Sequence, residues 1–236
     1  PKTKAIVPVH LFGQSANMEA IMQIAADNKL YVIEDNAQAI GANYTYSNGE
    51  KAKTGTIGHV GSTSFFPSKN LGCYGDGGAI FTNDDNLAHT IRGIVNHGMY
   101  RRYYHDVVGV NSRLDSIQAT ILNIKLPKLD TYNKARQEAA KKYNAAFKGI
   151  DNITTPKFSN GCTEWCSNCD CHVFHQYTLK IKGINRDDLA QHLNEKEIPC
   201  GVYYPVPLHS QKAYQETRYS ESDFTVTNQL VKEVIS

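Results

Sequence analysis

The strongest constraint on the fold of this chain is a strand, helix, strand alternation near its N-terminus. Two short apolar runs, residues 5–9 and 30–33, are typical of strands buried on both faces. Between them, apolar residues recur at helical spacing over residues 18–25, and Ser15 is placed to cap that helix. This order predicts a βαβ unit with a right-handed crossover. We therefore expect an α/β fold whose sheet is mixed and mainly parallel.

The same alternation continues through the first half of the chain. Residues 60–66 and 79–82 have the composition and length of two further strands. From residue 115 to residue 148 the pattern is largely helical, and Pro127 predicts a break near the middle of that stretch. We place the boundary of a large first domain at this break, which gives a domain of residues 1–127.

The second half of the chain predicts a smaller domain, residues 128–236. Residues 174–181 have the pattern of a strand, residues 185–197 that of a capped helix, and residues 202–204 that of a short strand. This order is typical of a small α/β domain.

Composition and charge are those of an ordinary globular enzyme. Of the 236 residues, 41% are apolar and 20% are charged, and the net charge is only +2, which argues against disorder and against a nucleic-acid partner. No apolar stretch approaches the ~20 residues that cross a bilayer, and the first residues do not have the charged region, apolar segment and cleavage site that would predict a secretory signal. We therefore expect a cytoplasmic protein with no membrane partner.

One lysine and one aspartate carry a chemical signal. Lys69 precedes the glycine-rich run 74–78, and Asp35 follows the buried run that ends at Ile33. Ligands of open α/β sheets bind outside the carboxyl ends of the strands. An amine that can form a Schiff base and a carboxylate that can pair with a pyridine nitrogen are the two groups that pyridoxal phosphate (PLP) requires. Taken singly, Lys69 could be a solvated loop lysine and Asp35 a helix cap.

Six segments together give this chain a family resemblance that covers nearly its whole length. The chain resembles the DegT/DnrJ/EryC1/StrS sugar aminotransferases, which are PLP-dependent transferases of fold type I, the aspartate aminotransferase fold. That resemblance implies a large PLP-binding domain and a smaller C-terminal α/β domain. The segments are PVHLFGQ (8–14), EDNAQAIGA (34–42), SFFPSK (64–69) with the glycines that follow, NHG (96–98), GVNSRLD (109–115) and YYPVPLH (203–209).

The resemblance implies roles for four residues around the cofactor. Lys69 would hold PLP through its amine and, once released, move a proton. Asp35 would pair with the pyridine nitrogen, and Gln38 would pack on the ring. Ser64 would bind the phosphate.

The resemblance also implies a homodimer, because the family builds its site across a subunit interface. Asn111 would reach the phosphate of the cofactor in the neighbouring subunit. His209, Arg113 and Tyr204 would lie near the sugar nucleotide.

Residues 100–115 look most like the branch of the family that aminates 3-keto sugars linked to UDP or dTDP, including 3-keto hexuronic acids. Glutamate would be the amino donor, and cell-surface polysaccharide biosynthesis the setting. Arg101 and Arg102 could bind a diphosphate or a carboxylate, or could form a solvated basic turn. A sugar dehydratase of the same fold is an alternative, but its members typically replace the lysine by histidine, and Lys69 argues against it.

A cluster of cysteines and histidines occupies residues 162–175. Its Cys-x2-Cys and Cys-x-Cys spacings could supply a tetrahedral zinc site, so a catalytically inert, zinc-organised interaction module is a further alternative. A single irregular tract lacks the two separated knuckles of a known zinc framework. We therefore expect no metal site and favour free surface thiols, with disulfides formed by air oxidation as the alternative. The weak zinc candidates are Cys162, Cys166, Cys169 and Cys171.

The resemblance makes one further prediction, about the two ends of the chain. Family members carry an additional N-terminal segment with a turn that donates to the cofactor phosphate, and we expect this chain to lack it. The helix at residues 227–234 is expected to be incomplete. We therefore expect weak PLP binding by this chain alone.

Overall fold

The computed structural model describes residues 2–158 and 170–236. Within them the chain divides into two compact units. The first comprises the described residues of Pro1–Ala139 and Phe158–His175, and the second comprises Ala140–Lys157 and Gln176–Ser236. The two predicted domains, residues 1–127 and 128–236, concern which parts of the chain fold independently, and they remain a prediction.

The first unit contains both strands and helices, and one helix connects its first two strands. Its strands are β1 (Ala5–Ile6), β2 (Tyr31–Asp35), β3 (Asn43–Thr45), β4 (Lys51–Lys53), β5 (Val60–Ser64), β6 (Gly78–Phe81), β7 (Met99–Arg101) and β8 (Tyr104–His105). Its helices are α1 (Met18–Asn28), α2 (Asp85–Val95) and α3 (Ser116–Lys125), and α4 (Leu129–Ala146) begins in it.

The central sheet has the order β1-β2-β5-β6. β1, β2 and β5 are parallel, whereas β6 runs antiparallel to β5, so the predicted mixed and mainly parallel sheet is confirmed. Asp35 lies opposite Ser62 in the β2–β5 register, and Ser64 lies opposite Gly78 in the β5–β6 register. The carboxyl ends of β2 and β5 therefore meet at one edge of the sheet.

Helix α1 has a different cap from the predicted one. Asn17 caps it by accepting a hydrogen bond from the Ala20 amide at 3.3 Å. Ser15 is buried, and its hydroxyl donates to the Ala16 carbonyl at 3.0 Å. The capping residue thus lies two positions later in the chain than predicted. The apolar face of α1 packs on the sheet in a cluster formed by Met18, Ala25, Val32 and Tyr44.

The predicted break at Pro127 is confirmed. This proline lies in a 3-10 turn, Leu126–Lys128, that separates α3 from α4. The turn lets residues on both sides of it reach one core below the loop that carries Lys69, because that core contains Phe65, Leu71, Cys73, Leu122 and Leu129.

The second unit is a small α/β arrangement around an antiparallel sheet of order β11-β10-β9. The strand prediction for residues 174–181 was too long, and residues 202–204 form no strand. Asn185 caps α5 as predicted, accepting from the Asp187 amide at 2.8 Å. The elements are β9 (Ile153–Thr154), β10 (Leu179–Ile181), α5 (Arg186–Glu195), α6 (Thr225–Glu233) and β11 (Val234–Ile235). None of the described helices combines the length and the apolar character needed to cross a membrane.

Candidate functional site

Strand β2 brings Asp35 to the carboxyl edge of the sheet. The Asp35 amide donates to the Pro8 carbonyl at 2.9 Å on one side, and the Asn36 amide donates to the Ser62 carbonyl at 2.8 Å on the other. The strand is therefore held on both sides up to its last residue. The Asp35 carboxylate is half-buried, and its Oδ1 accepts from the Ala37 amide at 3.0 Å. Within the described residues its Oδ2 has no partner, so it can pair with a ligand.

Gln38 connects the end of β2 to the loop that follows β1. Its Oε1 accepts a hydrogen bond from the Phe12 amide at 2.6 Å. The side chain is half-buried, so it is not an exposed helix residue. This hydrogen bond holds the Gln38 side chain at the same edge of the sheet as Asp35, which lies three positions earlier in the chain.

Ser64 and Lys69 lie at and just beyond the end of β5. The Ser64 hydroxyl accepts from the Phe66 amide at 3.2 Å, which leaves its own proton available for donation. Lys69 is half-buried, and its amide donates to the Phe66 carbonyl at 2.9 Å. In the part of the chain that the structure describes, the Lys69 ammonium makes no hydrogen bond and no ion pair.

The loop around Lys69 is closed by its own backbone. Phe65 donates to the Gly77 carbonyl at 2.7 Å and receives a hydrogen bond from the Cys73 amide at 2.8 Å. A Cβ at Gly72 would lie 2.4 Å from the Pro67 carbonyl oxygen, so this position requires glycine. The glycines that follow Lys69 therefore allow the tight loop that holds it.

Glu34 is a buried carboxylate to which sequence reasoning assigned no role. It is fully buried, and His10 Nε2 lies 2.8 Å from its Oε2. His10 Nδ1 accepts from the Ala16 amide at 3.0 Å, so the imidazole proton is on Nε2 and points at Glu34. Burial raises the pKa of Glu34, but hydrogen bonds from His10 and from backbone amides lower it below its usual value. The amides that lower it belong to Gly55 and Gly58, and the Ile57 amide also donates to the carboxylate.

Asn111 and Arg113 line a cavity of about 380 Å³ next to the start of β6. The cavity also includes Gly78, the residue opposite Ser64 in the sheet register. Both Asn111 and Arg113 are exposed, and the Arg113 guanidinium donates to Asn96 Oδ1 at 3.3 Å. In this unit Asp35, Gln38, Ser64 and Lys69 thus lie at or just beyond the carboxyl ends of β2 and β5, and Asn111 and Arg113 line the cavity that includes Gly78.

His209 and Tyr204 belong to the second unit. The His209 ring stacks on Phe224 with centroids 4.0 Å apart, and its Nε2 lies 3.1 Å from Glu221 Oε2. His209 and Glu221 line a cavity of about 440 Å³. Tyr204 is 55% exposed.

The donor set at the edge of the sheet fits PLP chemically. A carboxylate with an open oxygen suits a protonated pyridine nitrogen, a hydroxyl with an available proton suits a phosphate, and an unpaired lysine amine suits an aldehyde. Asp35, Ser64 and Lys69 provide these three groups on adjoining strand ends.

Most of the cysteine cluster lies outside the described residues, including Cys162, Cys166 and Cys169. Cys171 is described. It is buried and disulfide-bonded, so the prediction of a free surface thiol is wrong at this position. As a disulfide, Cys171 cannot also act as a thiolate ligand to zinc.

Comparison with known proteins gives one consistent family. A sequence model of the DegT/DnrJ/EryC1/StrS aminotransferase family matches residues 1–236. A UDP-N-acetyl-3-dehydro-alpha-D-glucosamine 3-aminotransferase of Acidithiobacillus ferrooxidans is 42% identical over 100% of this chain and 59% of its own length. A UDP-2-acetamido-2-deoxy-3-oxo-D-glucuronate aminotransferase of Pseudomonas aeruginosa is 44% identical over 92% of this chain and 56% of its own length.

Solved structures show the same relationship. The structure of Streptomyces venezuelae DesV superposes with a TM-score of 0.89 at 37% identity and covers 100% of this chain and 60% of that one. A Brucella abortus aminotransferase superposes with a TM-score of 0.86 at 39% identity and covers 99% of this chain and 58% of that one. The fold is therefore that of the PLP-dependent aminotransferases, as predicted. The chain spans about 60% of the length of the relatives that it matches, and by both its sequence and its fold it belongs to the DegT/DnrJ/EryC1/StrS aminotransferase family.

Proposed function

We propose that this protein is a PLP-dependent aminotransferase that moves an amino group from glutamate to a keto sugar nucleotide. One observation carries the proposal: Lys69, Asp35 and Ser64 lie at and just beyond two adjoining strand ends, each with an unused amine, carboxylate oxygen or hydroxyl proton. Family membership supports the cofactor and the reaction class.

We further propose a 3-keto sugar as the acceptor, either a hexose or a hexuronate linked to UDP or dTDP. The names of the relatives support this choice, since two of them act on UDP-linked 3-oxo sugars. A third, from Aneurinibacillus thermoaerophilus and 42% identical over 100% of this chain and 60% of its own length, is named dTDP-3-amino-3,6-dideoxy-alpha-D-galactopyranose transaminase. Arg113, His209 and Tyr204 are the residues proposed to bind this substrate.

Each proposed cofactor residue has a distinct physical task. Bound PLP supplies an electron sink for the charge that develops on the carbon beside the amino group. Asp35 keeps the pyridine nitrogen protonated by pairing with it, and the Ser64 hydroxyl donates to the phosphate. Gln38 packs against the ring. Lys69 Nζ is the atom that accepts and returns the proton once its amine is free.

We also propose that the protein is a homodimer in which Asn111 binds the cofactor phosphate of the partner subunit. The exposure of Asn111 supports this role, because its side chain is available to a second copy. The family resemblance supports it as well.

The function is tested by trapping PLP on the full-length protein. The protein is incubated with PLP and reduced with borohydride, and the modified lysine is identified by mass spectrometry. We expect the modification at Lys69, its loss in Lys69→Ala and its retention in Lys128→Ala, which alters an exposed lysine of the same unit. Modification distributed over exposed lysines alone would contradict the cofactor role.

Turnover is then measured with glutamate and a UDP- or dTDP-linked 3-keto sugar. The expected products are the amino sugar and 2-oxoglutarate, and Lys69→Ala should lower kcat by about a thousandfold or more. Loss of a sugar hydroxyl with no amino group gained would instead identify the dehydratase.

A further inference from the structure

Asn70, the residue that follows Lys69, is buried and hydrogen-bonded in three directions. Its Nδ2 donates to Asn133 Oδ1 at 2.8 Å and to the Val173 carbonyl at 3.0 Å. Its Oδ1 lies 3.2 Å from His175 Nδ1. The side chain therefore anchors the Lys69 loop both to α4 and to residues 173–175.

The same network reaches the loop that carries Gln38. Asn133 is buried, and its Nδ2 donates to the Ile40 carbonyl at 3.2 Å. One amide on α4 thus connects the loop after β2 to the loop after β5. Burying an amide side chain costs free energy unless its polar atoms are hydrogen-bonded. Here these hydrogen bonds also hold the loops after β2 and β5 in fixed positions.

His175 completes the network through its hydrogen bond with Asn70, the residue that follows Lys69. Because Asn70 Oδ1 can only accept, His175 Nδ1 carries the proton and a neutral ring leaves Nε2 as an acceptor. Burial, together with the smaller effects of the Lys69 and Arg136 charges, lowers the pKa of His175 to about 4, so the ring is neutral at pH 7. The Arg136 guanidinium holds the segment by donating to the Phe174 carbonyl at 3.1 Å.

We propose that Asn70 and His175 are positioning residues for Lys69: Asn70 fixes the backbone that carries the lysine, and His175 holds the Asn70 side chain in place. This inference rests on the proposed function, since an amine that must reach a single carbon atom needs a fixed position. Neither residue is proposed to touch the substrate.

The test is competitive labelling of lysines with acetic anhydride in full-length protein without PLP, read by mass spectrometry. Lys69 labelling is expressed relative to Lys128. We expect Asn70→Ala and His175→Leu each to raise that ratio about fivefold, the factor that corresponds to one buried hydrogen bond. His175→Gln can still donate to Asn70 and should stay within about twofold of wild type.

Two further variants sharpen the test. His172→Gln alters a buried histidine of the same segment and serves as the matched control, with no rise in Lys69 labelling expected. The double variant Asn70→Ala/His175→Leu should show no larger rise than either single variant, because both changes break one network.

Unchanged Lys69 labelling in folded Asn70→Ala and His175→Leu would overturn the proposal. An equal rise in His172→Gln would also overturn it, because the effect would then be general loosening. If Asn70→Ala does not fold, His175→Leu with its glutamine counterpart decides. The trapping experiment tests the proposed function separately. If wild-type protein does not trap PLP at Lys69, the proposed function fails, whatever the acetic anhydride labelling shows.

Discussion

At the scale of single residues, Glu34 and Asp35 are adjacent carboxylates in opposite environments. Neighbouring residues of a strand point to opposite faces, so one of the pair is fully buried and the other half-buried. Glu34 accepts from His10 and from three backbone amides. Within the described residues the Asp35 carboxylate accepts one hydrogen bond, from the Ala37 amide, and keeps an open oxygen. Glu34 is therefore structural, whereas Asp35 is available for a ligand.

Replacing Glu34 with glutamine tests this difference. Glu34→Gln keeps the shape but turns one acceptor into a donor facing other donors, so we expect the free energy of unfolding to fall by about 2–3 kcal/mol. Urea denaturation at pH 7 measures it. Glu50→Gln, at an exposed position, is the control and should change it by less than about 0.5 kcal/mol. Equal losses in the two variants would contradict the structural role.

Acid should remove the contribution of Glu34 to the free energy of unfolding. Its pKa is lower in the folded protein than the ordinary value of 4.5. The stabilisation is therefore fully present above pH 4.5 and is lost as the pH falls through the folded pKa.

At the scale of elements, residues 170–175 hold the first unit together without regular secondary structure. Asp170 accepts from Asn43 Nδ2 at 2.5 Å and from Lys51 Nζ at 3.0 Å. Val173 donates to the Gly13 carbonyl at 2.9 Å. A Cβ at Gly13, where φ is +101°, would lie 2.9 Å from the His175 amide, so the close approach of the two loops depends on this glycine.

His172, in the middle of this segment, should make the protein sensitive to acid. Burial lowers its pKa to about 3, partly opposed by a hydrogen bond to Gly13. Between pH 5.5 and 4.5 the unfolded chain binds this proton and the folded protein does not. Stability therefore falls as pH falls, by about 1.4 kcal/mol per pH unit for one proton.

His172→Gln should reduce the pH dependence of the free energy of unfolding by the amount that corresponds to one proton. Urea denaturation at several pH values measures it. Gln137→Ala removes a hydrogen bond to the His172 carbonyl but no titrating group, so it should lower stability and leave the slope unchanged. A His172→Gln slope equal to that of wild type would show that another group causes the acid sensitivity.

At the scale of the whole molecule, the proposed dimer predicts complementation between two defective proteins. Lys69→Ala and Asn111→Ala homodimers each lack one part of every site. A mixed dimer contains one site with both Lys69 and Asn111 intact. Co-refolding equal amounts should therefore restore roughly a quarter of wild-type turnover, since half of the dimers are mixed and each has one intact site of two.

Each homodimer refolded alone is the control and should stay inactive or weakly active. Activity of the mixture equal to the mean of the two controls would refute a site shared between subunits.

The sequence by itself determined the elements that depend on local pattern. The parallel strands, the helix from Met18, the break at Pro127 and the positions of Asp35 and Lys69 at strand ends follow from periodicity and turn residues close in the chain. The wrong strand prediction also comes from reliance on local pattern. Residues 174–178 have a strand pattern, but their polar groups bond to Asn70, Arg136 and Asn144 instead of to a neighbouring strand.

Only the tertiary structure decided which polar residues are buried together. His10 and Glu34 are 24 positions apart, and Asn70 and His175 are 105 positions apart. No local pattern shows that such residues pair, because the cost of burying each one is offset only when the folded chain supplies its partner. The chemistry of Lys69 could therefore be predicted from its neighbours in sequence, whereas the surroundings that hold it became visible only in the fold.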